Sequence, residues 1–341
     1  MGWMGRGTVP GAAAPKSVYF AIRLPLNKQN MRTLRKHLIT LSDLTNEDLD
    51  FILQRGVALA KGTQPYAPVL NGAVIGVYFR KTSTRTRTAF SSAALRLGAQ
   101  IISFGPNDLQ ENTGETVEDT ARVLSRMLDC LVARTASDQR EMELYASQHR
   151  MSVINAMSTQ EHPTQALADL TTMLQTFGSV SGLRILYVGE GNNTASALCK
   201  AVPRFPHTEL YLHSPAGYGL PGEIIQEGKN HGKAFGSKVI EVTDLRQVPA
   251  EIDIVYTTRW QTTGTSKKDA DWRTRFDPYK VTTALMERHA KAVFMHDLPA
   301  HRGEEVDGDV LDSERSIAFG QAENKMHSAA AVFQWCLLHK G

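Results

Sequence analysis

Short apolar runs separated by long polar connections constrain this chain more than any other feature. Between residues 183 and 297 the runs ILYVG, ELYLH, KVIEV, DIVYTT and AVFMHD recur, each too short for a buried helix. The connections are long enough to recross a sheet, and near-continuous apolar strands are what a parallel sheet covered on both faces requires. An earlier block repeats the style. SDLTNEDLDFILQRGVALA (42–60) has helical spacing after an N-cap signal, VIGVYF (74–79) reads as a buried strand, and KTSTRTRTAFSSAALRLG puts Ala89, Phe90, Ala93, Ala94 and Leu97 on one helical stripe with Gly98 to end it. IISF is the next strand, and TVEDTARVLSRMLDCLV reads as the helical segment after it. The fold class is α/β, with two α/β domains and mainly parallel sheets. A chain of 341 residues exceeds one comfortable core. The expected division is an N-terminal extension at 1–30, a first domain at 31–170, a second at 171–320, and a C-terminal helix at 321–341 that returns to the first.

Composition removes several alternatives. Cys130, Cys199 and Cys336 are too few and too scattered for a disulfide framework or paired zinc ligands, which makes a reducing, cytoplasmic setting the expectation. The formal charge of +3 comes with no dense basic run, so no nucleic-acid partner is expected. No apolar stretch reaches the roughly 18 residues of a membrane span. Residues 1–30 lack the plan of a targeting segment and read as an extension, in which VYFAI could form a strand or meet a neighbouring subunit.

The segment richest in chemistry is Ser83-Thr84-Arg85-Thr86-Arg87, between the strand at 74–79 and the following helix. Free N–H groups at a helix start attract an anion, hydroxyls add donors, and guanidinium groups match paired phosphate oxygens. The plainer alternative is a polar capping segment with solvated arginines. No GxxxxGK[ST] loop is present, and Gly189-Glu190-Gly191-Asn192-Asn193 lacks the third glycine of a dinucleotide loop, which leaves NAD a minor reading.

Taken in order, these segments resemble the aspartate/ornithine carbamoyltransferase family, and its ornithine branch most. STRTR (83–87) is similar to the carbamoyl-phosphate loop, GETVEDTARVLSRMLDCLVART (114–135) to the segment after it, and HPTQALAD (162–169) to the catalytic turn and helix. GEGNN (189–193), the loop at 256–264, HDLP (296–299) and AENKMH (322–327) continue the likeness, which spans roughly 32–338. The resemblance implies a first domain for carbamoyl phosphate, a second for an amine acceptor, and a homotrimer with sites between subunits. It implies a place in amino-acid metabolism and arginine biosynthesis. Ser83, Thr84, Arg85 and Thr86 would surround phosphate, Arg134 would reach phosphate and carbonyl oxygen, and His162 and Gln165 would orient the carbamoyl group. Gln110 is the candidate contributed across a subunit interface, and Lys325 belongs to the same set. Neither metal nor cofactor is needed for this division of labour.

On the acceptor side the implied residues are Asn193, Thr258, Thr262, Thr263, Asp297 and Leu298, and here the chain departs from the pattern. The ornithine branch carries aspartate where Thr258 stands, serine-methionine where Thr262 and Thr263 stand, and cysteine where Asp297 stands. Thr258 cannot balance an ammonium charge, whereas Asp297 could do so from another direction. Lys325 replaces a family arginine and loses its planar fork, for which Arg302 and Arg259 are the candidate substitutes. Cys199 and Cys336 read as packed. Ornithine or a related cationic amino acid leads as acceptor. Putrescine or another amine, and a noncatalytic anion-sensing or scaffold protein, stand as alternatives.

Overall fold

Apolar runs flanked by turns build two separate parallel sheets in the computed structural model, which describes residues 35–262 and 266–338. The extension at 1–30, with its VYFAI run, and Thr263 lie outside the described residues. In the first half, α1 (Asn46–Ala60), β1 (Val74–Phe79), α2 (Arg85–Arg96), β2 (Gln100–Phe104), α3 (Val117–Leu124), β3 (Cys130–Arg134), α4 (Arg140–Ala146), β4 (Ser152–Met157) and α5 (Pro163–Phe177) follow one another. The second half contains β5 (Arg184–Val188), α6 (Asn193–Ala201), β6 (Glu209–His213), α7 (Gly222–Lys233), β7 (Lys238–Glu241) and β8 (Ile254–Thr257). It ends with α8 (Trp272–Phe276), α9 (Thr283–Arg288), β9 (Val293–His296), α10 (Gly308–Leu311) and α11 (Ala318–Leu337). All five apolar runs of the second block are strands.

One expectation is corrected. TVEDTARVLSRMLDCLV is not a single helical segment: α3 ends at Leu124, and Cys130–Arg134 is a fully buried strand near the middle of the first sheet. Leu128 and Leu131 continue the helical spacing far enough to disguise the break, because a short apolar run reads alike in either state.

Strand order fixes where a ligand can sit. The first sheet runs β2-β1-β3-β4 and the second β7-β6-β5-β8-β9, with every pairing parallel. In each, chain progression reverses beside its first strand, between β1 and β3 and between β5 and β8. At such a switch point the connections leave in opposite directions and open a crevice beyond the carboxyl ends of the strands. Phe79 pairs with Arg134 at one crevice, and Val188 with Thr257 at the other.

Two long helices lie between the sheets. Residues 163–173 of α5 are all buried, and α11 packs on α1, α2 and α5, with Phe333 meeting Phe90 edge-on at 5.4 Å. One apolar cluster runs through Val77, Leu167, Ile185 and Val332, so strands of both sheets share a core with these helices. At the start of α1 a capping box secures the first turn: Thr45 accepts from the Asp48 backbone, and the Asp48 carboxylate accepts from that of Thr45. No helix among the described residues is long and apolar enough to cross a membrane.

Candidate functional site

The carboxyl ends of β1, β3, β4, β8 and β9 border a cavity of about 290 Å³. Its wall brings together Ser83, Thr84, Arg85, Thr86, Arg134, His162, Gln165, Asn193, Thr258, Thr262, Asp297, Leu298 and Lys325, residues separated by up to 242 positions (325 − 83).

On the first-sheet side, Thr84 is the N-cap of α2, but its side chain makes no capping hydrogen bond, so the first-turn N–H groups are left to another acceptor. Arg134 ends β3 and is 9% exposed. Its Nη1 donates to Ser83 Oγ at 3.2 Å and Thr86 Oγ1 at 3.3 Å, while its Nε is buried without a partner. Burial pushes the Arg134 guanidinium down to about 10, against the opposing field of Asp297 and with that of Arg85. Arg85 is shifted down by burial as well, and again Asp297 opposes. Keeping two guanidinium groups charged in one half-dry wall suits a multiply charged anion. Arg87 faces elsewhere and donates to Ser103 Oγ.

The opposite wall is the start of α5. Pro163 at the first helical position presets the turn, placing His162 at the cap and Gln165 in the first turn. Burial, then Arg134 and Lys325, hold the His162 imidazole neutral, far below the ordinary histidine range. Gln165 is held at both ends of its amide: Nε2 donates to Asp169 Oδ1 at 2.8 Å, and Oε1 accepts from Lys325 Nζ. Asp169, fully buried, also accepts from Tyr256 at 3.0 Å and Gln321 at 2.7 Å. Desolvation nevertheless raises its carboxyl above the usual range. Sequence reasoning passed over Asp169, although HPTQALAD contains it one helical turn after Gln165.

On the second-sheet side, Asn192 caps α6 by accepting from the Thr194 and Ala195 backbones, and Asn193 Nδ2 donates to Ser158 O at 2.8 Å. Thr258 is 1% exposed and already engaged: Asn192 Nδ2 donates to its hydroxyl at 3.0 Å, and Tyr187 lies 3.1 Å away. Asp297 accepts from Thr194 Oγ1 at 3.1 Å, and its carboxylate is the acid opposing Arg85, Arg134 and Lys325. Leu298 beside it has a φ of 53°, a left-handed backbone that costs a branched residue strain. Counting Arg85, Arg134, Arg259 and Lys325 against Asp297 leaves three surplus positive charges (4 − 1). This wall therefore favours an anion.

Two candidates stand apart. Gln110 is exposed on a 3-10 turn, Gln110–Thr113, bonded to Thr113 and outside this cavity. Arg302 is paired with Asp312 at 2.8 Å and does not line the cavity, whereas Arg259 does. Cys199 and Cys336 are buried, and burial raises both thiols. His301, Glu304 and Glu305 form a group with metal-ligating atoms within 4.8 Å of one another, but they line no part of the cavity.

A second cavity of about 170 Å³ shares Met157, Asn192, Asn193 and Thr262 with the first and adds Glu190 and Lys267. Sequence reasoning missed Thr194, Asn192 and Lys267. Asn192 and Thr194 flank the matched Asn193, while Lys267 lies in a loop without periodic signal.

Two family models match nearly the whole described chain. The carbamoyl-P binding domain of aspartate/ornithine carbamoyltransferases matches residues 36–175, and the Asp/Orn binding domain matches 181–336. The chain is 35% identical over 304 residues to an ornithine carbamoyltransferase of Methylococcus capsulatus, covering 89% of this chain and 98% of that one. It is 37% identical to that of Thermococcus kodakarensis over 87% and 95% of the two chains. The solved ornithine carbamoyltransferase of Pyrococcus furiosus superposes with a TM-score of 0.82 at 32% identity, covering 90% of this chain and 99% of that one.

Proposed function

The chain belongs to the aspartate/ornithine carbamoyltransferase family and is a carbamoyltransferase acting on an amine, and we propose that its acceptor is a cationic amino acid, ornithine or a close relative. The observation that carries this reading is one cavity that joins Arg85 at the start of α2 and Arg134 at the end of β3 to a wall from the ends of β8 and β9 and the start of α6, which holds the acid Asp297.

In this reading the phosphate of carbamoyl phosphate takes the α2 N-terminus with Ser83, Thr84, Arg85 and Thr86. Its carbonyl oxygen faces Arg134, Thr86 and neutral His162. Gln165, clamped by Asp169 and Lys325, orients the carbamoyl NH₂. A neutral acceptor amine attacks the carbonyl carbon, forming the C–N bond. The C–O bond to phosphate breaks, the electron pair leaves with phosphate, and the nitrogen gives its proton to the departing phosphate. Arg134 then stabilises charge at both ends of the reacting group. The test couples two readouts: inorganic phosphate release and a ureido product, measured with ornithine, putrescine, shorter and longer diamino acids, and aspartate. Phosphate release and product in equal amounts with a diamino acid support the reading. No turnover with any amine, or preference for aspartate, rejects it.

Asp297 links the two halves. Its carboxylate opposes the cations of the phosphate wall, so acceptor and phosphate sites are not electrostatically separate. Asp297→Asn is expected to tighten inhibition by inorganic phosphate, on the order of three- to tenfold, while slowing transfer to cationic acceptors. Phosphate inhibition constants for parent and variant decide this.

The family likeness supports a homotrimer. Leu95, Ile102, Val123 and Met127 are exposed on the first-sheet half, where a subunit contact would cover them, and Gln110 is exposed with its side chain bonded within its own turn. Light scattering is expected to return about three times the 37.6 kDa chain mass. A fully active monomer overturns this assembly.

A further inference from the structure

Where the ornithine branch carries a carboxylate, Thr258 supplies none, and its hydroxyl is already bonded to Asn192 and Tyr187. The second cavity offers one. Glu190, immediately beyond β5, pairs with Lys267, and both side chains line that cavity. Three aromatic rings surround the Lys267 ammonium: Tyr218 and Phe276, each 4.9 Å away, and Trp272 at 5.4 Å. These rings fix the cation independently of Glu190, so it can stay in place when another carboxylate approaches. Glu190 Oε2 is also within 3.5 Å of Thr262 Oγ1.

The setting separates this pair from an ordinary loop clasp. The Lys267 side chain is 5% exposed, yet the pair lines a cavity that abuts the reaction cavity, Asn192 and Asn193 lining both. An α-amino acid carries an ammonium and a carboxylate on one carbon. It is matched by a carboxylate and an ammonium held side by side, and inserting such a head group exchanges one buried ion pair for two.

We propose that Glu190 and Lys267 form a zwitterion-recognition site at the outer end of the acceptor channel, selecting α-amino acids over simple amines. The acceptor's α-ammonium lies on Glu190 and its α-carboxylate on Lys267, while its distal amine extends toward Asp297 and the carbamoyl group. This rests on the carbamoyl-transfer reading above.

The test uses the diamino acid that the full-length enzyme carbamoylates fastest, together with its carboxamide and the diamine lacking the carboxylate, at saturating carbamoyl phosphate. The parent enzyme is expected to favour the amino acid over both analogues in kcat/KM by about tenfold or more, the worth of one charge-assisted contact. Lys267→Met, whose apolar stem still fills the aromatic cage, is expected to bring the three within about threefold of one another, mainly by raising the KM of the amino acid. The KM for carbamoyl phosphate is expected to hold, and Lys267→Arg to keep most of the preference. A parent enzyme that treats the amino acid and its carboxamide alike overturns the proposal, and this comparison needs no variant. An equal loss for all three acceptors in Lys267→Met also overturns it, leaving Lys267 as a loop clasp. If the parent releases phosphate to no amine, the transfer reading fails first and this proposal with it.

Discussion

Arg134→Gln is expected to lower kcat about a thousandfold while leaving the melting temperature unchanged or higher. The activity loss follows from position. Arg134 sits at the end of β3 beside Ser83 and Thr86, with its Nε turned to no protein acceptor among the described residues. In the transfer reading proposed above, it would serve both the carbonyl oxygen and the departing phosphate. The stability side follows from burial. A base whose folded pKa is depressed costs folding free energy while it is charged. The penalty is absent above the ordinary arginine range and fully present once pH falls below about 10. At neutral pH the charged Arg134 therefore works against folding, by an amount on the order of 2 kcal/mol after Asp297 and relaxation are allowed for. A neutral glutamine keeps donors toward Ser83 and Thr86 and removes that cost. Thermal melts beside single-turnover rates decide the matter. A variant that loses stability and activity together would make Arg134 a structural group. Arg85, partly exposed and able to relax into solvent, is expected to show a smaller loss when replaced by alanine.

How far the sequence disclosed this site depends on the physical range of each signal. The strands of the second sheet were legible because a strand covered on both faces needs an unbroken apolar run, as Ile185–Val188 and Ile254–Tyr256 show. Ser83–Thr86 and His162–Gln165 were legible because a helix start is a local event, marked by hydroxyls or by Pro163. What bridged large sequence distances was not. β3 hid behind a helical spacing that carried on past Leu124. The acid beside Gln165, Asp169, also meets Gln321 and Tyr256, 152 and 87 positions away. Asp297 invited an acceptor role from its charge alone, yet only the folded cavity shows it facing Arg85, Arg134 and Lys325. Glu190 and Lys267 are 77 positions apart, and no spacing rule links them.

The pH profile offers the sharpest separation of roles within the cavity. With a diamino acid as acceptor, kcat/KM is expected to climb about tenfold per pH unit from 6 to 7 and onward, roughly a hundredfold by pH 8. An aliphatic amine near pKa 10.4 is almost wholly protonated there, and its neutral, attacking fraction grows tenfold per unit. His162 should leave no inflection in that climb. Burial, Arg134 and Lys325 all disfavour its cation, so the imidazole is neutral across the range. His162→Asn is therefore expected to lower the whole line without bending it. Lys325 is the group that can end the climb. Burial pulls its ammonium below the ordinary lysine range, only partly opposed by Asp297 and Asp169. As pH rises it surrenders its proton, and Gln165 Oε1 and the Asp297 backbone carbonyl lose their cationic donor. The profile should level in the mildly alkaline range for this reason. Lys325→Arg, which cannot deprotonate there, should carry the rise to higher pH if its longer fork is accommodated beside Gln165. A plateau that stays in place in Lys325→Arg would exclude this lysine as its source. A break that moves in His162→Asn would instead assign the titration to the histidine and overturn the neutral-donor role given to it.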